Sequence, residues 1–151
     1  MPGLAILSKS SRSSEYRLRR RVQFYETDPA RIVHFSWYFR YMEEAEHALW
    51  RQAGLSIVPA DGAVSFPRVA ASFDYHQPLR FEDEFEVWIR IVAMSEKSIR
   101  YGCALTRGDV KIATGSLTVV CVSAQAGQPM TATPIPDDIA SRFEVAAGVQ
   151  A

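Results

Sequence analysis

Tyr25-Glu26-Thr27-Asp28-Pro29-Ala30-Arg31-Ile32-Val33-His34-Phe35-Ser36 leads directly into the longest helical pattern of the chain, from roughly Ser36 to Ala53. Along that pattern Tyr38, Tyr41, Met42, Ala45, Ala48, Leu49 and Gln52 recur at three- and four-residue steps, the spacing of one buried helical face. Arg40 and Glu44 form an i, i+4 pair on the outer side, and Gly54 is placed to stop the helix. A helix start presents unpaired N–H groups and the positive end of the dipole. A carboxylate held just ahead of it, among apolar residues, is suited to attack a carbonyl whose oxygen is being polarised. Asp28 is such a carboxylate. Taken alone, an Asp before Pro29 also fits a turn or cap.

Outward from the helix, the chain reads as strand on both sides. Ahead of it, Tyr16, Leu18, Val22 and Phe24 share one face, interrupted by Arg20, while Arg17, Arg19, Arg21 and Gln23 share the other. That Arg cluster fits a phosphate-binding patch or, with more weight, a solvated face or partner contact. After a connector over 55–67, four alternating runs follow: Arg68–His76, Asp83–Met94, Lys97–Arg107 and Val110–Ser123. The apolar face changes near Gly115, which predicts a bulge there. Pro134-Ile135-Pro136 closes the strand region, and Asp137–Glu144 reads as a short last helix.

Strand, long helix, then four tightly connected strands is an α+β order with a five-stranded antiparallel sheet. One helix cannot cover both faces of such a sheet. A second copy of the chain is therefore expected over part of it or along its edge, as a homodimer or homotetramer.

The 151 residues fit a single domain. We expect a flexible Ser-rich leader over 1–14, one domain over 15–146 and a tail over 147–151. Lys plus Arg is 17 and Asp plus Glu is 17, so charge offers no argument for nucleic acid or a membrane surface. No run approaches the roughly 20 apolar residues of a membrane span, and Gly3–Leu7 is too short for a signal peptide; a cytoplasmic protein is expected. Cys103 and Cys121 lack metal-ligand spacing and read as buried thiols, with a disulfide between neighbouring strands left open. His34, His47 and His76 likewise lack ligand spacing, so no metal is expected.

Asp28-Pro29-Ala30, Ile32-Val33, Tyr38, Glu43 and Gly54-Leu55 resemble the 4-hydroxybenzoyl-CoA thioesterase family of hotdog-fold proteins. The likeness continues through Pro67–Phe73, Pro78–Val87, Ala113-Thr114-Gly115 and Gly127–Pro136, over roughly residues 18 to 145. The loop with its helix is the specific part; the strand motifs are weak singly. The resemblance implies a sheet wrapped around one long helix, dimers whose interface holds the sites, and hydrolysis of an acyl-CoA thioester, aryl or fatty, to the free acid and CoA. It implies no cofactor, CoA being part of the substrate.

The resemblance also implies that Asp28 is the catalytic carboxylate, as nucleophile or as base for water. The amide of Phe35, with that of Ser36, would polarise the oxyanion, such a donor being worth roughly 3 kcal/mol. The acyl group would lie near Val33, Phe35, Trp37 and Tyr38. His34 could orient substrate or donate a proton, or be a half-buried helix-start His. Glu43 could position the loop or a water, or simply pair with His47. Lys97 matches a position used for CoA phosphates, with Arg100 and Arg68 as weaker choices and an exposed turn Lys as the plain alternative.

Two residues depart from the family pattern. Arg31 stands where Gly is usual, so its loop takes a strained or altered path, and its charge would bind a carrier phosphate or weaken the field at Asp28. Trp37 stands where a small residue or Asn is usual, narrowing the acyl pocket or filling a dimer contact. Two other readings stay open: an acyl-thioester hydratase or dehydratase using Asp28 and His34, and a non-catalytic binder of acyl-CoA or acyl-carrier-protein thioesters.

Overall fold

The computed structural model describes residues 12–123 and 125–149. In chain order they form β1 (Glu15–Arg21), a 3-10 turn (Phe24–Glu26), α1 (Trp37–Gln52), β2 (Val64–Ser65), β3 (Arg68–Tyr75), β4 (Glu84–Met94), β5 (Ser98–Arg107), β6 (Val110–Val120), β7 (Val122–Ser123) and α2 (Asp137–Ala140). The main sheet is antiparallel throughout, in the order β1-β4-β5-β6-β3. The expected α+β architecture, one long helix on a five-stranded sheet, is what the chain adopts.

The inward positions of the central strands follow the period-two pattern. Phe85, Val87, Ile89 and Ile91 of β4, and Ile99, Tyr101, Cys103 and Leu105 of β5, are all buried against α1. A fully buried side chain of this size contributes about 1.5–3 kcal/mol. The β3 edge is different: six of its eight residues are exposed, including Val69 and Tyr75.

Several details differ from the sequence reading. Phe24 does not extend the first strand's inner face; it is 72% exposed, because the chain turns into the 3-10 segment after Val22. Gln52 of the expected helix face is exposed, whereas Glu46 and Trp50 are fully buried. Trp50 is covered by Phe66 from the connector and Phe143 from the C-terminal segment, each 5.0 Å away between ring centroids. Arg40 and Glu44 are engaged elsewhere: Arg40 lies over the Trp37 ring, and Glu44 accepts from Arg20 at 2.7 Å.

The bulge in β6 falls at Ile112, skipped in the pairing with β5, so that Ile112 and Ala113 are both buried. Gly115 has another purpose. Phe73 packs over it so closely that a Cβ there would meet the ring at 2.7 Å. The last helix is only Asp137–Ala140.

Residues 1–11 of the expected leader lie outside the described residues. Ser13, which was expected to belong to it, is instead buried and paired with Phe143, its N–H donating to Arg142 C=O at 2.8 Å. Cys103 and Cys121 are both free thiols, and burial pushes Cys103 up to about 12.

Candidate active site

The segment between the 3-10 turn and α1 is a closed loop. Thr27 and Val33 form an antiparallel bridge, and inside it Asp28 N–H donates to Ile32 C=O at 2.9 Å while Arg31 N–H donates to Asp28 C=O at 2.7 Å. Asp28 Oδ1 accepts from Ala30 N–H at 2.8 Å, the side-chain turn that an Asp before Pro favours. Its other carboxylate oxygen makes no hydrogen bond among the described residues. Arg31 occupies the left-handed region at φ 66, a conformation that costs a non-glycine residue about 1–2 kcal/mol. Its side chain is exposed and lines, with Asp28, Phe24 and Phe81, a groove of about 510 Å³.

Each backbone N–H from Val33 to Trp37 has a partner except one. Val33 donates to Leu79 C=O, His34 to Glu26 C=O, and Trp37 to His34 C=O. The Ser36 amide points to the His34 ring at 3.3 Å. Among the described residues the Phe35 N–H has no acceptor, and it lies just ahead of α1, whose cap residue Ser36 supplies no side-chain cap. It is the free donor that a helix start leaves. The Ser36 amide, expected as a second donor, is occupied.

Phe35 and Val33 border an apolar cleft of about 350 Å³, closed by Ile32, Tyr38, Tyr75 and the His76–Pro78 turn. Tyr75 O–H donates to Phe35 C=O at 3.0 Å and pins that peptide. Burial pushes the Tyr38 phenol up to about 12, opposed by the Leu79 backbone. Asp28 and Phe35 therefore open onto different grooves. The two grooves are neighbours, since Thr27 lines one, Val33 lines the other, and these two residues are bridged.

The other expected site residues divide. Trp37 does not line the cleft; it packs between Tyr25 and Tyr41, 5.6 and 6.3 Å away. His34 is exposed, its Nδ1 2.8 Å from Ser36 Oγ and its ring tilted against Phe35; it has no bond to Asp28. Glu43 is held by Arg68 at 3.2 Å, and it is Glu46, at 4.0 Å, that lies beside His47. Lys97 lies just beyond β4, and Arg100 pairs with Ala93 near its far end. That strand starts at Glu84, which pairs with Arg21 at the loop end, so they stand about 30 Å along the sheet from that pair. Within one chain they cannot reach its site.

The sequence reading missed Glu26. Its side chain is fully buried; Oε1 accepts from Arg20, Tyr41 O–H and Gln23 N–H, each at 2.8 Å, and Oε2 faces the Arg20 guanidinium at 2.6 Å as an ion pair, without a hydrogen bond of its own among the described residues. A signal for it was present: Arg20 interrupts an otherwise apolar strand face, and an inward Arg requires a buried acid. Burial alone would lower the Arg20 pKa, but its bonds to Glu26 and Glu44 hold it above the usual value.

Comparisons with known proteins agree on one fold. A model of the thioesterase-like superfamily matches residues 22–143. The 1,4-dihydroxy-2-naphthoyl-CoA hydrolase of Synechococcus elongatus is 25% identical over 137 residues, covering 89% of this chain and 98% of that protein. Among solved structures, a hypothetical protein of Aquifex aeolicus superposes with a TM-score of 0.79 at 29% identity, covering 85% of this chain and 99% of the other. A gentisyl-coenzyme A thioesterase superposes with a TM-score of 0.72 at 26% identity, covering 83% and 99%.

Proposed function

The chain belongs to the thioesterase-like superfamily, and from that premise we propose that it hydrolyses an acyl-CoA thioester to the free acid and CoA. The observation that carries the reading is Phe35 N–H, the one amide from Val33 to Trp37 without an acceptor among the described residues, beside a loop whose carboxylate keeps one oxygen unengaged. The thioester lies across the Thr27–Val33 bridge. Its carbonyl oxygen meets the Phe35 amide, and Asp28 attacks the carbon directly or takes a proton from the attacking water. The thiolate leaves without a strong general acid. The acyl group occupies the cleft with Val33, Phe35 and Tyr38. The relatives named for 1,4-dihydroxy-2-naphthoyl-CoA and gentisyl-CoA support aryl acyl groups as the first to test.

The site is completed by a second copy. The β3 edge is unpaired on one side and largely exposed, so a homodimer or homotetramer would continue the sheet there. In that assembly Lys97 and Arg100 serve the partner's site as binders of carrier phosphates. Arg31 is the basic residue that lines the Asp28 groove within the same chain. A hydratase reading finds less support, because His34 is engaged with Ser36 and not with Asp28.

A thiol-release assay over aryl, short, medium and long acyl thioesters, on CoA and on acyl-carrier protein, tests the reading. Release that falls in Asp28→Asn supports it. Full release by a folded Asp28→Asn protein refutes the role of the carboxylate, and an enoyl absorbance change without thiol release favours the hydratase. A monomeric mass by light scattering would remove the second copy.

A further inference from the structure

We propose that Glu26 is a positioning residue for hydrolysis, an anchor that holds both the carboxylate and the oxyanion donor in place. The inference rests on the reading of Asp28 and Phe35 given above. Nothing about Glu26 faces a substrate, since it has no exposed surface. Its two halves hold different things. The side chain is fixed to β1 through Arg20 and to α1 through Tyr41. The backbone carbonyl accepts the His34 N–H at 2.9 Å, so the residue next to the free amide is fixed by the residue two before the carboxylate. The Thr27–Val33 bridge starts immediately after it. The neck of the loop therefore hangs on this side chain together with two other anchors, Val33 N–H to Leu79 C=O and Tyr75 O–H to Phe35 C=O, and Glu26 is the one of the three that ties it to both β1 and α1.

The chemistry explains why a charged anchor suits this place. The loop and the 3-10 turn have no regular ladder to define their position. A carboxylate accepting from a guanidinium, a phenol and a backbone amide is fixed in direction in a way that an apolar contact is not. Misplacement of a reacting group by about 1 Å can lower turnover roughly a hundred-fold.

The experiment compares Glu26→Gln in the native protein and in the Asp28→Asn protein, with acyl-CoA turnover read as kcat and KM and folding read by thermal melting. The expected result is a roughly ten- to hundred-fold fall in kcat with KM little changed, and a smaller fractional loss in the Asp28→Asn background, where only the oxyanion donor remains to be misplaced. Tyr41→Phe, which removes one bond to the carboxylate at a residue that lines neither groove, gives a smaller fall of the same kind and serves if Glu26→Gln does not fold. Wild-type kcat in a folded Glu26→Gln or Tyr41→Phe protein, with Asp28→Asn inactive, overturns the inference and leaves the role of Asp28 intact. An equal fractional loss in both backgrounds overturns it too, since it marks general loosening. Full activity in Asp28→Asn alone overturns the reading beneath it.

Discussion

Two ion clusters flank the middle of α1, the loop-end one toward β1 and the strand-end one toward β3, built from the same parts and holding different things. At the loop end, Arg20 of β1 meets Glu26 and Glu44, with Tyr41 against the carboxylate. On the other side, Arg68 of β3 meets the fully buried Glu46 and, at the rim, Glu43, while Tyr101 Oη accepts from the Trp50 indole N–H at 2.9 Å. The second cluster ties one regular element to another, a helix to an edge strand whose register the sheet also defines. The first ties down a stretch with no ladder of its own. Damage to the strand-end cluster should be read in stability, whereas damage to the loop-end cluster should be read in turnover.

The largest expected effect is Glu46→Ala. It leaves Arg68 half-buried without its main partner and should lower stability by about 3–5 kcal/mol, with thioester turnover per folded molecule kept. Denaturant melts beside active-site-normalised kcat check both halves, and a matching fall in kcat would break the comparison.

Next is alkaline pH at the loop end. Burial raises the Tyr38 phenol from 10.0 to about 12, so the native state resists ionisation that the unfolded chain undergoes. The stability it contributes is complete below 10.0 and is lost as pH rises through about 12, on the order of 2 kcal/mol. Tyrosinate absorbance and melts followed together test it, and Tyr38→Phe should flatten that part of the curve. Tyr101, deeply buried at the strand end, is also raised well above its usual value, by burial first and then by Glu46.

Tyr101→Phe leaves the Trp50 indole N–H short of a partner, for a loss of about 1–3 kcal/mol measured by urea melts. Glu43→Gln should be nearly silent, below about 1 kcal/mol, because its ion pair with Arg68 is half-exposed. A large fall in kcat there would give Glu43 a part in the chemistry and redraw the division between the two ends.

The apolar skeleton was legible because burial imposes a period on it. Phe85, Val87, Ile89 and Ile91 alternate in sequence and all lie in the core. What stayed hidden is where polar groups enter that core, since Glu26, Glu46 and Arg68 follow pairing rather than period. Gly115 shows a second limit: its lack of a side chain reads equally as a bulge or as room for a neighbour, and only the position of Phe73 decides. At the site, the spacing from Asp28 to Phe35 was readable, and the fate of each amide between them was not. Whether Ser36 N–H is free depends on the rotamer of His34, a property of packing.

Arg31 has one more consequence, for how this loop can change. It carries a positive charge beside the carboxylate at a backbone angle that glycine adopts without strain. Arg31→Gly would relax the loop by about 1 kcal/mol and remove that charge in a single step. Folding alone would select the glycine. Variants at this one position can therefore separate the demands of folding from those of the ligand.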